Sequence, residues 1–273
     1  MDMDVTGYSI TQQEFAKFRE LIYALAGIKL SDEKKTLVVS RLSKRLRHYS
    51  FSTFSQYLDL LASNRHPHEQ QILVDLLTTN ETYFFREASH FSHLVAHYLE
   101  HAEPHRNFSV WSAASSSGEE AYSLAMLLRH AEPNKKLEIL GTDISSRMIK
   151  TAQRGLYPLS RTSNIPADIR NKYCLKGVRS HEGSLLVSKE IQALVHFRLL
   201  NLLGEWQQIG QFDAIFLRNV MIYFDLETKR KLVQKIVQHL RPGALFYVGM
   251  AEGLNGITHE LKTIAPSVYR KAL

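Results

Sequence analysis

The chain has 273 residues, 44% hydrophobic and 22% charged, with a formal net charge of +7 and one cysteine, Cys174. That length holds a sizeable core, and the composition excludes a disordered chain. A lone cysteine excludes a disulfide framework or a Cys-rich metal site, and the 13 scattered histidines suggest no metal. The opening MDMDVTGYSI lacks the apolar core of a signal peptide, and no run reaches the roughly 18 apolar residues of a membrane span. The expectation is a soluble, cytoplasmic protein whose positive charge suits an anionic partner: nucleic acid, acidic protein or membrane surface.

Residues 1 to about 103 read as helical. Thr11 and Glu14 stand at capping-box spacing, and Phe15, Phe18, Leu21, Ile22 and Leu25 follow at helical period until Gly27. Ser31-Asp32-Glu33 starts a second helix, with Val38, Leu42, Leu46 and Tyr49 on one stripe. Residues 51–62 and 69–77 form two more. The four helices predict a small bundle. Residues 29–48 hold seven basic side chains against two acidic ones, five of the seven net charges. Lys34, Arg41, Lys44 and His48 share a face there, with Arg45 beside them. Alone, such a face is equally a solvated one.

From about residue 106 the rhythm becomes strand–helix. Strands are expected at 108–113, 137–142, 193–199, 212–217, 244–249 and 268–271, with helices at 119–131, 145–154 and 227–240. Alternation of this kind predicts a parallel, doubly wound sheet with helices on both faces. Residues 157–190, with Pro158, Pro166, Gly177 and Gly183, break the rhythm as a small β insertion. A hairpin is expected within it at 173–175 and 185–188.

In an open α/β sheet, ligands bind beyond the carboxyl ends of the strands near the switch point. Three segments belong there. Ala114-Ser115-Ser116-Ser117-Gly118-Glu119-Glu120 is a small-residue loop with two acids at a helix start. Those acids oppose a pyrophosphate and suit hydroxyls and cationic groups, though a dipole-stabilised turn fits equally. Asp143, at the end of the next strand, stands where a ribose-binding carboxylate belongs, or as a helix cap. Arg218 and Asn219 follow an apolar strand and are poorly explained by core packing. A fourth segment, Thr79-Asn80-Glu81-Thr82-Tyr83-Phe84-Phe85-Arg86, sets polar groups beside three aromatics.

Taken together, TTNETYFFR, WSAASSSGEEAYSLAM, GTDIS, NLL, FDAIFLRNVMIYFD and LRPGALFYVG resemble, in order, the motifs of the bacterial chemotaxis receptor methyltransferases, the CheR family. The resemblance spans nearly the whole chain. It implies an N-terminal helical receptor-docking domain (1–78), a linker contributing to the cofactor site (79–105), and a Rossmann-like class I methyltransferase domain (106–273) with a β-subdomain at about 157–190. It implies a protein-glutamate O-methyltransferase that uses S-adenosylmethionine. The implied cofactor contacts are Asn80, Thr82, Arg86, Glu120, Asp143 (on the ribose), Asn201 and Leu202 (flanking the adenine), Arg218 and Asn219. Arg86 and Tyr223 would face the methyl-transfer centre. Arg41, Lys44, Arg45 and His48 would dock an acidic receptor helix, and the insertion would hold a receptor C-terminal peptide.

Two departures stand out. Ser115-Ser116-Ser117 replaces the family's Cys or Ala followed by Ser-Thr, small for small. Gly249-Met250-Ala251-Glu252 replaces Gly-His-Ser-Glu and removes the His and Ser. A nucleic-acid methyltransferase is the rival enzyme reading, but the chain has no Asn/Asp-Pro-Pro-aromatic motif and no Cys pair. A non-enzymatic cofactor-binding scaffold is the other. The expected enzyme is monomeric, without nucleic-acid binding or membrane insertion.

Overall fold

The computed structural model describes residues 7–63, 66–101 and 106–273. The first six residues of the segment read for a leader, and 102–105 at the end of the expected linker, lie outside them. The chain divides into a helical unit, up to Thr79 together with Tyr223–Asp225, and a sheet unit, Asn80–Ile222 with Leu226–Leu273.

The helical unit holds α1 (Gln12–Ala26), α2 (Lys35–His48), α3 (Phe54–Ala62) and α4 (Pro67–Leu77). The α1 capping box forms as its spacing requires: Glu14 N–H donates to Thr11 Oγ1 at 3.1 Å, and Thr11 N–H to Glu14 Oε2 at 2.8 Å. Gly27 closes the helix in the left-handed region, at φ 67°. Ser31 caps nothing with its side chain; a short 3₁₀ turn at Asp32–Lys34 leads into α2 instead. Helix α3 starts at Phe54 rather than 51, because Thr53 and Gln56 form a second capping box. Phe15, Phe18, Ile22, Val38, Leu42, Leu46, Phe54, Tyr57, Leu73 and Leu77 fill the core.

The sheet unit opens with α5 (Ala88–His101), inside what reads as a linker in sequence. Then follow β1 (Phe108–Ser112), α6 (Glu119–Ala131), β2 (Leu137–Asp143) and α7 (Ser146–Arg154). The insertion contributes β3 (Leu156–Pro158), α8 (Ala167–Tyr173), β4 (Cys174–Lys176), β5 (Ser184–Val187) and the one-turn α9 (Lys189–Gln192). The chain ends with β6 (Val195–Leu199), β7 (Phe212–Leu217), α10 (Leu226–Gln238), β8 (Leu240–Val248), β9 (Leu261–Ala265) and β10 (Val268–Lys271). Helix α5 lays Phe91, Leu94 and Tyr98 into one core with Val110, Leu124, Met126, Ile139, Phe216 and Tyr247.

The sheet order is β6-β2-β1-β7-β8-β10-β9. The strands from β6 to β8 run parallel, whereas β10 runs antiparallel to both β8 and β9. The expected parallel, doubly wound sheet is there from β6 to β8, and the antiparallel β10 and β9 at its edge make the whole sheet mixed. Strand β9 escapes sequence reading because its middle residues are exposed and no alternation marks it. The expected insertion hairpin is β4–β5, and β3 adds a third strand on the other side of β5. Pro158 hides β3 in the sequence, and it sits where proline is tolerated, at the end of an edge strand.

Candidate active site at the carboxyl ends of the strands

Strands β2, β1 and β7 end at one edge of the sheet, and chain order reverses between β1 and β7. That reversal opens the crevice in which such sheets bind ligands. The loop after β1 is laced to β2: Ser115 N–H donates to the Thr142 carbonyl at 2.8 Å, and Thr142 Oγ1 to that of Ala113 at 3.1 Å. Gly118 turns the chain into α6 at φ 95°. A Cβ there would lie 2.8 Å from that of Ala152, so only glycine closes the loop onto α7.

Asp143, 7% exposed, accepts Ser116 N–H at Oδ2 and Ser145 N–H at Oδ1, both at 2.8 Å. It is not the cap of α7; Ser145 is. Glu120 accepts Ser112 Oγ at 2.7 Å and Arg218 Nη1 at 2.8 Å. Arg218, its side chain 2% exposed, also pairs with Glu87 at 3.0 Å and donates to the Arg86 carbonyl at 2.5 Å. It thus sits between two carboxylates, from the segment before α5 and from α6. Burial pushes the Glu87 carboxyl up, but Arg218 and Asn219 outweigh it and hold the group below the ordinary carboxylate range.

Asn219 follows at φ 57°. Its N–H donates to Glu252 Oε2 at 2.7 Å, as does Gly249 N–H at 2.7 Å, and Ile222 N–H reaches Glu252 Oε1 at 3.2 Å. Glu252 thereby ties the end of β8 to the segment after β7, a backbone task that needs neither the His nor the Ser absent at Met250 and Ala251. A Cβ on Gly249 would lie 2.6 Å from Asn219 Nδ2. Phe85, Glu87, Ser116 and Asn219 all have φ between 47° and 58°. Non-glycine residues so placed store strain, and they gather at sites that need a set geometry.

The other expected residues fall as follows. Asn80 accepts Ser116 Oγ at its carbonyl, 3.2 Å away, and Thr82 accepts Arg161 at its own, also at 3.2 Å. The Arg86 guanidinium donates to the Glu81 carbonyl at 3.0 Å and lies over the Tyr83 ring. Asn201 and buried Leu202 stand on the turn after β6, where Asn201 Oδ1 accepts Leu203 N–H at 3.0 Å. Tyr223 groups with the helical unit, its carbonyl accepting Lys29 N–H at 3.2 Å.

Within the helical unit, Arg45 of α2 reaches Glu69 of α4. Its fork holds Glu69 through bonds of 2.7 and 2.8 Å, and Glu69 also accepts Tyr57 and Tyr49 hydroxyls. Arg41 Nη1 donates to the carbonyls of Leu76 and Thr78. Lys44 and Arg47 are exposed cations of α2, and His48 is exposed at its end. Sequence reasoning missed Glu87, Arg161 and Tyr157 at the site. No spacing marks them, because each reaches it by tertiary folding.

The donor set fits S-adenosylmethionine. Its two carboxylates suit hydroxyls and an ammonium, and Ser115 Oγ is buried with no hydrogen-bond partner among the described residues. Residues 80–269 match the CheR methyltransferase SAM binding domain, and residues 13–78 the CheR methyltransferase all-alpha domain. The chain is 40% identical over 268 residues to chemotaxis protein methyltransferase 2 of Pseudomonas aeruginosa, covering 97% of this chain and 95% of that one. It is 37% identical over 264 residues to the chemotaxis protein methyltransferase of Escherichia coli, covering 96% and 91%.

Proposed function

The chain belongs to the CheR methyltransferase family, and on that premise we propose that it methylates glutamate side chains on the cytoplasmic helices of a chemoreceptor. The products are glutamyl methyl esters and S-adenosylhomocysteine, and the receptor's methylation level tunes adaptation. The observation that carries this reading is the pair Glu120, in the first turn of α6, and Asp143, at the end of the neighbouring β2, with Arg218 holding Glu120 in place.

When bound, S-adenosylmethionine supplies a methyl group on a sulfonium, already activated for transfer. Asp143 would hold the ribose hydroxyls, Glu120 a cationic part of the cofactor, and Asn201 and Leu202 the adenine. Asn80 and Thr82 would close over it, with Arg218 and Asn219 at the pocket floor. A substrate glutamate, with a pKa of about 4.3, is ionised at neutral pH, so no general base is required. The remaining work is alignment and exclusion of water, which is worth roughly 7–11 kcal/mol in well-oriented reactions. Arg86 would orient the incoming carboxylate by a forked hydrogen bond in a partly solvated place, and Tyr223 would add a second donor.

The receptor's acidic helix would dock on the exposed cations of α2. A receptor C-terminal peptide would add to β4, an edge strand of the small sheet carrying exposed Leu175, with exposed Val178 just after it. The enzyme would act as a monomer in the cytoplasm. One incubation tests the reading: labelled cofactor with a receptor cytoplasmic fragment and, in parallel, with RNA. Alkali-labile label on the receptor fragment is expected. Label on RNA, or alkali-stable label on protein, would overturn it.

A further inference from the structure

The insertion does more than carry an edge strand. Its first strand and the turn after it grip the cofactor loop. Tyr157, in β3, is 1% exposed and donates its hydroxyl to the Ser117 carbonyl at 2.6 Å. Its ring packs edge-on against Phe84 at 5.0 Å. Arg161, in the 3₁₀ turn after β3, donates to the Thr82 carbonyl and to Ser117 Oγ, each at 3.2 Å. The same guanidinium forms a close ion pair with Glu119. Glu119 has no exposed surface, and its other oxygen accepts Ser117 Oγ at 2.7 Å. A carboxylate at a helix start is satisfied by solvent and the dipole alone; one taken wholly out of water needs a partner. Among the described residues its cationic partner, Arg161, comes from the insertion.

We propose that Arg161 is a positioning residue for the cofactor, a strut by which the β insertion sets the Ser115–Gly118 loop and the Asn80–Arg86 segment at their working separation. The inference rests on the reading that this loop binds S-adenosylmethionine. It has a consequence for regulation. Anything that shifts the root of β3 changes cofactor affinity, and by linkage the cofactor changes affinity for whatever binds the insertion by the same factor. Arg161 touches no reacting atom, so its loss belongs in cofactor binding and cofactor KM, not in kcat at saturating cofactor.

The charges around Glu119 supply a distinguishing signature. Facing it are the Arg161 guanidinium and the Tyr157 phenol, whose own ionisation burial and Glu119 push well above the ordinary range. Burial raises the Glu119 carboxyl, and Ser117 and Arg161 oppose that rise. Without Arg161, Glu119 stays in its buried place while neutral and is driven out when ionised. Cofactor affinity of Arg161→Ala then falls as pH rises.

The test is calorimetric titration of the full chain with S-adenosylhomocysteine, from mildly acidic to mildly alkaline pH. Arg161→Ala is expected to raise Kd about tenfold or more at the alkaline end. The double variant Arg161→Met/Glu119→Gln leaves no buried unpaired charge. It is expected to lose the pH trend but keep part of the affinity loss, because Thr82 and Ser117 still lack their donor. A Kd within twofold of the unaltered chain at every pH, for Arg161→Ala or for the double variant if the single one does not fold, would overturn the proposal; so would a fall in kcat with cofactor KM unchanged. If the unaltered chain does not bind the cofactor, or binds it equally well after Glu120→Gln, the reading of the loop fails instead.

Discussion

Arg218 shows how much one side chain organises at this site. It reaches Glu120, Glu87 and the Arg86 carbonyl at once, with almost no solvent contact. Removing it leaves two half-buried carboxylates without their shared cation, and breaking a buried pair costs at most about 3–5 kcal/mol. Arg218→Met is therefore expected to lower the melting temperature by several degrees as well as abolish cofactor binding, checked by thermal denaturation and titration of the same sample. Arg86 is different. It leans on Glu81 and Tyr83 within its own segment and leaves the buried charge cluster to Arg218. Arg86→Ala and Tyr223→Phe should each cut turnover about tenfold or more while changing cofactor affinity far less. Lost binding with unchanged turnover in calorimetry and steady-state assays would reverse that assignment.

At the scale of the element, α5 has a property that its sequence hides among 13 histidines. His90, His93, His97 and His101 fall on one face by their spacing. His93 meets the Tyr247 hydroxyl at 2.9 Å, and the rings of His97 and His101 stack at 4.3 Å. Burial first, then Arg218, pushes His90 down to about 4; burial, then His101 and Arg270, does the same to His97. Glu87 opposes the shift at His90 without reversing it. A histidine that stays neutral in the fold but protonates on unfolding stabilises the fold above its unfolded pKa, near 6.5. That stability is lost as pH falls from there towards 4. The loss should reach on the order of 2–3 kcal/mol per histidine. Melting curves at descending pH should drop steeply in this window, and less steeply for His97→Gln. Equal slopes for the two chains would count against it.

For the whole molecule, the excess positive charge matters more than any single contact. Arg45 and Arg41 of α2 hold Glu69 and backbone carbonyls, and on the proposed function the exposed Lys44 and Arg47 are the cations that would face an acidic partner. Lys44→Glu with Arg47→Glu should raise the receptor KM several-fold at low salt and leave cofactor Kd unchanged, the difference fading as ionic strength rises. An unchanged receptor KM at low salt would remove α2 from the docking surface.

Much of this was legible in the chain itself. Capping boxes, apolar period and the strand–helix alternation are local, so α1, α3, β1, α6, β2 and β7 could be placed from their own residues. The loop at 114–120, Asp143 and Arg218-Asn219 could be assigned to one end of a sheet because strands running parallel share their carboxyl edge. What stayed ambiguous was anything decided by a distant partner. Whether Glu119 serves the helix dipole or a buried ion pair depends on Arg161, far along the chain. Whether Arg45 faces solvent or the core depends on Glu69. The direction of β10, and the existence of β9, depend on which edge is left open after the parallel strands have paired. Local pattern sets which element a segment can form; long-range burial of charge and pairing of strand edges set what each side chain is then used for.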